Sequence, residues 1–288
     1  MRQASQALSV SLLALLCACS SGGDDNGNAP PTTTSVSGTV LNSPTPVGGV
    51  EVTLRGPGGT FETVTSSSGT YIIDGVPTGE YTIQFDGQGV FDSNGDPIAD
   101  KIDLRLPATT IGAGGPQAPA FLPERGFGLT VDTSGTREGT VAAGTLIENG
   151  DVRIYFAEET VVTFPSSDDT NLAIIPVPTG EIPVALPSGL SASALVAIEP
   201  AGTTFDIRPE ISFANGGMFP SGVSGIRIFR LGHSSGRWAA SGTGEVSADG
   251  GRILSSAGEG IRATGWHAIV VDTFCETDIV GQVTTSGG

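Results

Sequence analysis

The chain is poor in the residues on which catalysis and cross-linking usually rest. Its 288 residues include three cysteines, two histidines (His233 and His267) and one lysine, Lys101. Three cysteines cannot staple a disulfide scaffold. Heptads of Ala, Glu, Lys and Leu are missing, which excludes a coiled coil. No P-loop, dinucleotide fingerprint or C-x-x-C occurs, so no cofactor is implied. Cations are scarce as well: 13 Lys and Arg stand against 30 Asp and Glu, a formal net charge of −17. Repulsion from phosphate then argues against nucleic-acid binding. Glycine (43) and proline (19) are abundant. They fall short of the share that marks low-complexity chains, and enough Val, Ile, Leu and Phe remain to bury a core.

Met1 and Arg2 open the chain, and an apolar run follows from Leu8 to Leu16. A bilayer span needs about 20 apolar residues, so this shorter run reads as an export signal. It ends in Leu16-Cys17-Ala18-Cys19. That string resembles the bacterial lipoprotein signal, with an aliphatic residue three places before an acceptor cysteine and small residues between. The resemblance implies a diacylglycerol thioether on Cys19, cleavage before it, and a membrane partner reached through the lipid. Ser20 after the acceptor implies the outer membrane of a bacterial envelope. Residues 20–34 carry no aliphatic side chain larger than Ala and read as a flexible tether. Cys17 leaves with the signal, Cys19 carries lipid, and Cys275 is left without a partner.

From Ser35 the pattern alternates with period two. Val36, Gly38 and Val40 come first, then Val50, Val52 and Leu54, and later Tyr81, Ile83 and Phe85. Pro- and Gly-rich turns separate these runs, as in an antiparallel sandwich. The run Gly69-Thr70-Tyr71-Ile72-Ile73-Asp74-Gly75-Val76-Pro77-Thr78-Gly79-Glu80-Tyr81-Thr82-Ile83 resembles the carboxypeptidase regulatory-like domain. The resemblance implies a prealbumin-like Greek-key sandwich over residues 35–123 and an accessory module without peptidase activity. Tyr71 and Tyr81 are expected in its core. Asp92, Asn94 and Asp96 offer oxygens at calcium-like spacing, but Gly95 is misplaced and Pro97 intrudes. A solvated turn is the better reading, and no metal site is assigned.

Residues 124–272 continue as short strands without helical periodicity, and 273–288 read as a tail. Expected strands include 139–147, 182–185, 236–240 and 244–247. The strings around Ile198-Glu199-Pro200 and Ser235-Gly236-Arg237-Trp238 are faintly similar to bacterial surface modules and to the ZU5 interaction domain. Trp238 and Trp266 are expected to pack inward. Gly232-His233-Ser234-Ser235-Gly236 satisfies the nucleophile elbow of serine hydrolases, with Asp249 and His267 following in order. That motif needs a helix behind the serine, and the glycines after Trp238 deny one. A hairpin turn is the better reading, and no catalytic residue is assigned. The acidic pairs Glu158-Glu159 and Asp168-Asp169 read as solvated turns.

The expected architecture is therefore all-β, two antiparallel sandwich units after a signal and a tether. The expected function is a non-catalytic, envelope-anchored lipoprotein, a structural or adhesive display module. The alternatives are an accessory module that binds a surface glycan or protein and, behind it, a secreted serine hydrolase using Ser234.

Overall fold

The computed structural model describes residues 32–106, 109–112, 115–126, 128–233 and 235–272. Cys19 and Cys275 lie outside the described residues. So does Ser234. The described residues are all-β, with a single 3-10 turn at Thr179–Glu181 and no α-helix.

The first 90 described residues build two facing sheets. Thr33–Asn42 pairs antiparallel with Thr70–Pro77, and two short segments, Gly115–Pro116 and Ala120–Phe121, add to it in parallel. The opposing sheet runs Gly59–Val64, Glu51–Gly56, Gly79–Asp86 and Leu104–Arg105. Alternation sends Val36, Leu54, Ile83 and Phe85 between the sheets. Tyr71 and Tyr81 lie among them, as expected, at 3% and 0% exposure. Gly38 stands opposite Tyr71, and a Cβ there would lie 2.6 Å from the tyrosine Oη. A side chain is absent at this strand position because the ring fills its place. The Tyr71 hydroxyl has no hydrogen-bond partner, and burial pushes its pKa up to about 12. An unpaired buried hydroxyl is a net cost. Tyr71→Phe should therefore leave the thermal midpoint unchanged or raise stability by about 1 kcal/mol. A clear fall in the midpoint would show that the hydroxyl is paired.

A ten-stranded sheet dominates the remainder, beginning Leu129–Thr130, Asn171–Val177, Leu190–Glu199, Gly265–Asp272 and Ser224–Leu231, and ending at Thr145–Asn149. Asn149 Nδ2 donates to the Ile174 carbonyl at 2.7 Å, so the far end curls back to the near end. Phe156, Phe213, Ile198, Ile253 and Ile269 fill the inside of the curl. A three-stranded sheet (Glu138–Val141, Thr160–Thr163, Thr204–Phe205) adds Phe205, edge-on to Phe156.

The strands Asn171–Val177, Leu190–Glu199 and Gly265–Asp272 are buried on both faces. Ile174, Val196 and Ile269 point into the curl. Their neighbours Ile175, Leu195, Ala197 and Ala268 point the other way and join one continuous core with Val36, Phe85 and Leu104. This is why these strands read as near-unbroken apolar runs rather than as alternating ones. Trp238 and Trp266 are buried in this same seam, as expected, at 9% and 3% exposure.

Four expected strands are corrected. Residues 139–147 divide into Glu138–Val141 and Thr145–Asn149, because Gly144 turns the chain at φ +80. Residues 182–185 form no strand. Pro183 lacks an N–H to donate, and the Trp238 indole takes the Val184 carbonyl at 2.7 Å. Residues 236–240 and 244–247 belong to one strand, Trp238–Val246. Its glycines serve close packing instead of a turn: a Cβ on Gly242 would lie 2.8 Å from the Glu259 carbonyl oxygen.

Candidate functional site

A cleft of about 450 Å3 opens where strand ends and loops of the two halves meet. The segment Asp100–Asp103 forms one wall. The loop 165–169, between strands Thr160–Thr163 and Asn171–Val177, forms another. Glu199, the last residue of its strand, closes the floor, and the turn after it is clamped. Thr203 and Thr264 are fully buried, Thr203 N–H donates to Thr264 Oγ1 at 2.9 Å, and Thr203 Oγ1 donates to the Pro200 carbonyl at 2.8 Å. The turn that follows Glu199 is thereby fixed by buried threonine hydrogen bonds.

The cleft is rich in carboxylates. Glu199 is 5% exposed. Its Oε2 accepts the Ala201 N–H at 2.7 Å, whereas Oε1 has no protein partner. Burial pushes its pKa up to about 8 against the Ala201 hydrogen bond, and the nearby Asp103 charge adds to the rise. Asp103 is half-buried, accepts the Gly87 N–H at 3.1 Å and is pushed up to about 6, chiefly by burial. Two cations line the cleft, and both have carboxylate partners: Lys101 Nζ lies 3.6 Å from Glu124, and Arg125 is paired with Asp169. Asp100 and Asp168 stand exposed at the rim. His233 also lines the cleft; desolvation of the ring, with Arg105 and Arg230 nearby, holds it below the ordinary imidazole range. Among the described residues no phenylalanine, tyrosine or tryptophan lines the opening. Among the described residues no three His, Cys, Asp or Glu side chains are grouped so as to hold a metal ion.

Sequence reasoning placed Asp168-Asp169 in a solvated turn. Asp168 is exposed, but both residues line the cleft, and Asp169 is drawn to Arg125. Glu199 carried no signal beyond its place before Pro200. The one available hint was a carboxylate at the end of an apolar run, Ala194 to Ile198, where burial is hard to avoid.

Other candidates are kept apart. Asp92 folds upon its own turn: its carboxylate accepts the Asn94 and Asp96 N–H groups at 2.8 and 3.0 Å, and Asn94 and Asp96 are exposed. This is the solvated turn expected there. Leu231 and Trp238 pair across the segment 232–236, as a hairpin requires. His267 is 2% exposed, its Nδ1 lies 3.0 Å from the Gly265 carbonyl of its own strand, and burial lowers its pKa to about 4. Asp249 is tied within its own turn, accepting from Ser247 Oγ at 2.6 Å and the Gly251 N–H at 3.0 Å. Neither is presented to the other as a base and its orienting acid must be.

Residues 35–95 match the carboxypeptidase regulatory-like domain family. No curated protein sequence matches the chain. One solved structure, of a "putative carbohydrate binding protein" from Bacteroides uniformis, is similar over 83% of this chain and 97% of its own length, at 12% identity and a TM-score of 0.24.

Proposed function

We propose that this chain is a non-catalytic lipoprotein of a bacterial envelope whose body binds a surface ligand in the cleft at Glu199. The observation that carries the binding role is the cleft itself: a concave, polar opening between loops, lined by Glu199, one of whose buried carboxyl oxygens has no partner among the described residues. This favours the accessory binding module over a purely structural display role. The match of residues 35–95 to a regulatory-like domain supports a body without chemistry of its own, and the locked His267 weighs against a hydrolase using Ser234. In this reading Cys19 carries the lipid, the tether expected over residues 19–34 ends before Thr33, where the first strand begins, and the body has two units that run to residue 123 and over 124–272.

Two acyl chains or more hold a protein stably at a bilayer, since each buried CH2 contributes about 0.8 kcal/mol. Membrane-extracted protein should therefore show an intact mass increased by a diacylglycerol. Cys19→Ala should move the chain to the soluble fraction without that mass. Unmodified, soluble wild-type protein would remove the anchor from this reading. A glycan array probed with the soluble Cys19→Ala chain tests the binding role. Wild-type signal that is lost on filling the cleft with Ala201→Trp supports it, and a blank array counts against a glycan ligand.

A further inference from the structure

We propose that the cleft recognises a ligand bearing a free primary ammonium group on a hydroxylated frame, an amino sugar, with the ammonium seated against Glu199 Oε1. The inference rests on the binding role above and names its ligand chemistry. Four carboxyl groups of the cleft, on Asp100, Asp103, Asp168 and Glu199, have no ion-pair partner among the described residues, while Lys101 and Arg125 are already paired. Among the described residues the cleft thus has an excess of negative charge and no lining cation without a carboxylate partner to meet an anionic ligand. Glu199 is 95% buried by its 5% exposure, yet one of its oxygens is left without a donor. A buried carboxyl oxygen of this kind is costly unless a hydrogen-bonding partner arrives. An ammonium supplies both the hydrogen bond and the opposite charge. A metal ion is a poor alternative, because among the described residues no three ligating side chains converge. Among the described residues no phenylalanine, tyrosine or tryptophan offers a flat aromatic ligand a ring to stack on, whereas Gln84, Gln88 and Ser166 offer amide and hydroxyl groups suited to sugar hydroxyls. The volume of about 450 Å3 falls in the usual range for a small-molecule site.

The groups facing Glu199 decide the proton balance. Asp103 and Asp169 favour its neutral form and Arg125 its ionised form, and desolvation outweighs all three. Glu199 is consequently protonated in the free cleft at pH 7. Seating an ammonium ionises it, so the carboxyl O–H bond breaks, its proton passes to buffer, and an ammonium–carboxylate pair forms. The His233 pKa is lowered by desolvation and by Arg105 and Arg230.

The test is titration calorimetry of the soluble Cys19→Ala chain with the glucosamine dimer and with its N-acetylated counterpart. These probes share a frame and differ in charge. The expected result at pH 7 is at least tenfold tighter binding of the free amine. Close to one proton should be released per ligand, read from buffers of different ionisation heat. Adding Glu199→Gln, nearly the same shape, should cost at least tenfold and abolish the proton release, with a thermal melt confirming that the variant is folded. Equal or tighter binding of the acetylated dimer would overturn the amine while leaving the cleft a sugar site. Binding of the free amine unaffected by Glu199→Gln would overturn the seat. Binding of neither probe would overturn the inference altogether, and the array then decides separately whether another glycan is the ligand.

Discussion

Raising the pH from 6.5 to 8 should lower the unfolding free energy of the body by about 1.5 kcal/mol, and Glu199→Gln should remove most of that loss. A carboxyl whose pKa is raised in the folded state holds its proton more tightly there than in the unfolded chain. The folded state is therefore favoured at low pH. Stability falls as the pH rises from the ordinary value of 4.5 toward about 8, where Glu199 finally ionises inside the protein. Asp103 acts in the same sense, but its window runs from 3.8 to about 6 and has closed by pH 6.5. His267 acts oppositely. Its folded pKa is lowered from 6.5 to about 4, so its contribution is lost as the pH falls through that range. His233 is shifted in the same direction. Both imidazoles are still partly protonated in the unfolded chain at pH 6.5 and offset part of the fall, so the comparison with Glu199→Gln is what isolates Glu199. Urea unfolding of the Cys19→Ala chain at several pH values, with and without Glu199→Gln, gives the slope. A wild-type stability that is flat or rising over that interval would mean that Glu199 is ionised in the folded protein at pH 6.5.

Trp266→Ala should cost about 3–5 kcal/mol, the usual range for deleting a buried indole. The ring is 3% exposed on the strand Gly265–Asp272, opposite Ala197, and belongs to the core that includes Leu104 and Phe85 of the first sheets. Its Nε1 has no partner. Trp266→Phe removes that unpaired donor along with part of the ring, so it should cost far less than the alanine variant. Because the ring lies in a core shared by both halves, loss of packing there should be felt by both. Wild-type and variant chains should each unfold in a single transition by circular dichroism. Two separate transitions, or a cost for Trp266→Ala below about 1 kcal/mol, would show that the halves have independent cores.

The local rules succeeded where each decision involved only neighbours. Alternation around Val36, Val52 and Ile83 assigned the buried face because period two admits a single choice of face once a core exists. The turn at Pro77–Gly79 follows from backbone limits that need no tertiary partner. The tyrosines followed from size and polarity: Tyr71 and Tyr81 sit on the apolar face, and only that face is dry. Glycine was the less reliable guide. At Gly144 it turns the chain, whereas at Gly242 and Gly244 it lets backbone and side chains of Glu259, Leu254 and Ile253 come close. The letter is the same in each case, and the difference lies in whether another segment passes within 3 Å.

Read alone, the chain determined an all-β body, its turns, its aromatic core and its acidity, because each follows from backbone geometry or side-chain chemistry along a few consecutive residues. Tertiary structure decided the seam and the cleft. Alternation tells that Ile174 and Ile175 face apart, but not that a second core waits behind the sheet. Nor can any local pattern bring Asp103, Arg125, Asp169 and Glu199 to one opening. Their approach depends on pairings between strands far apart in sequence, and only that long-range closure strips water from Glu199 and alters its chemistry.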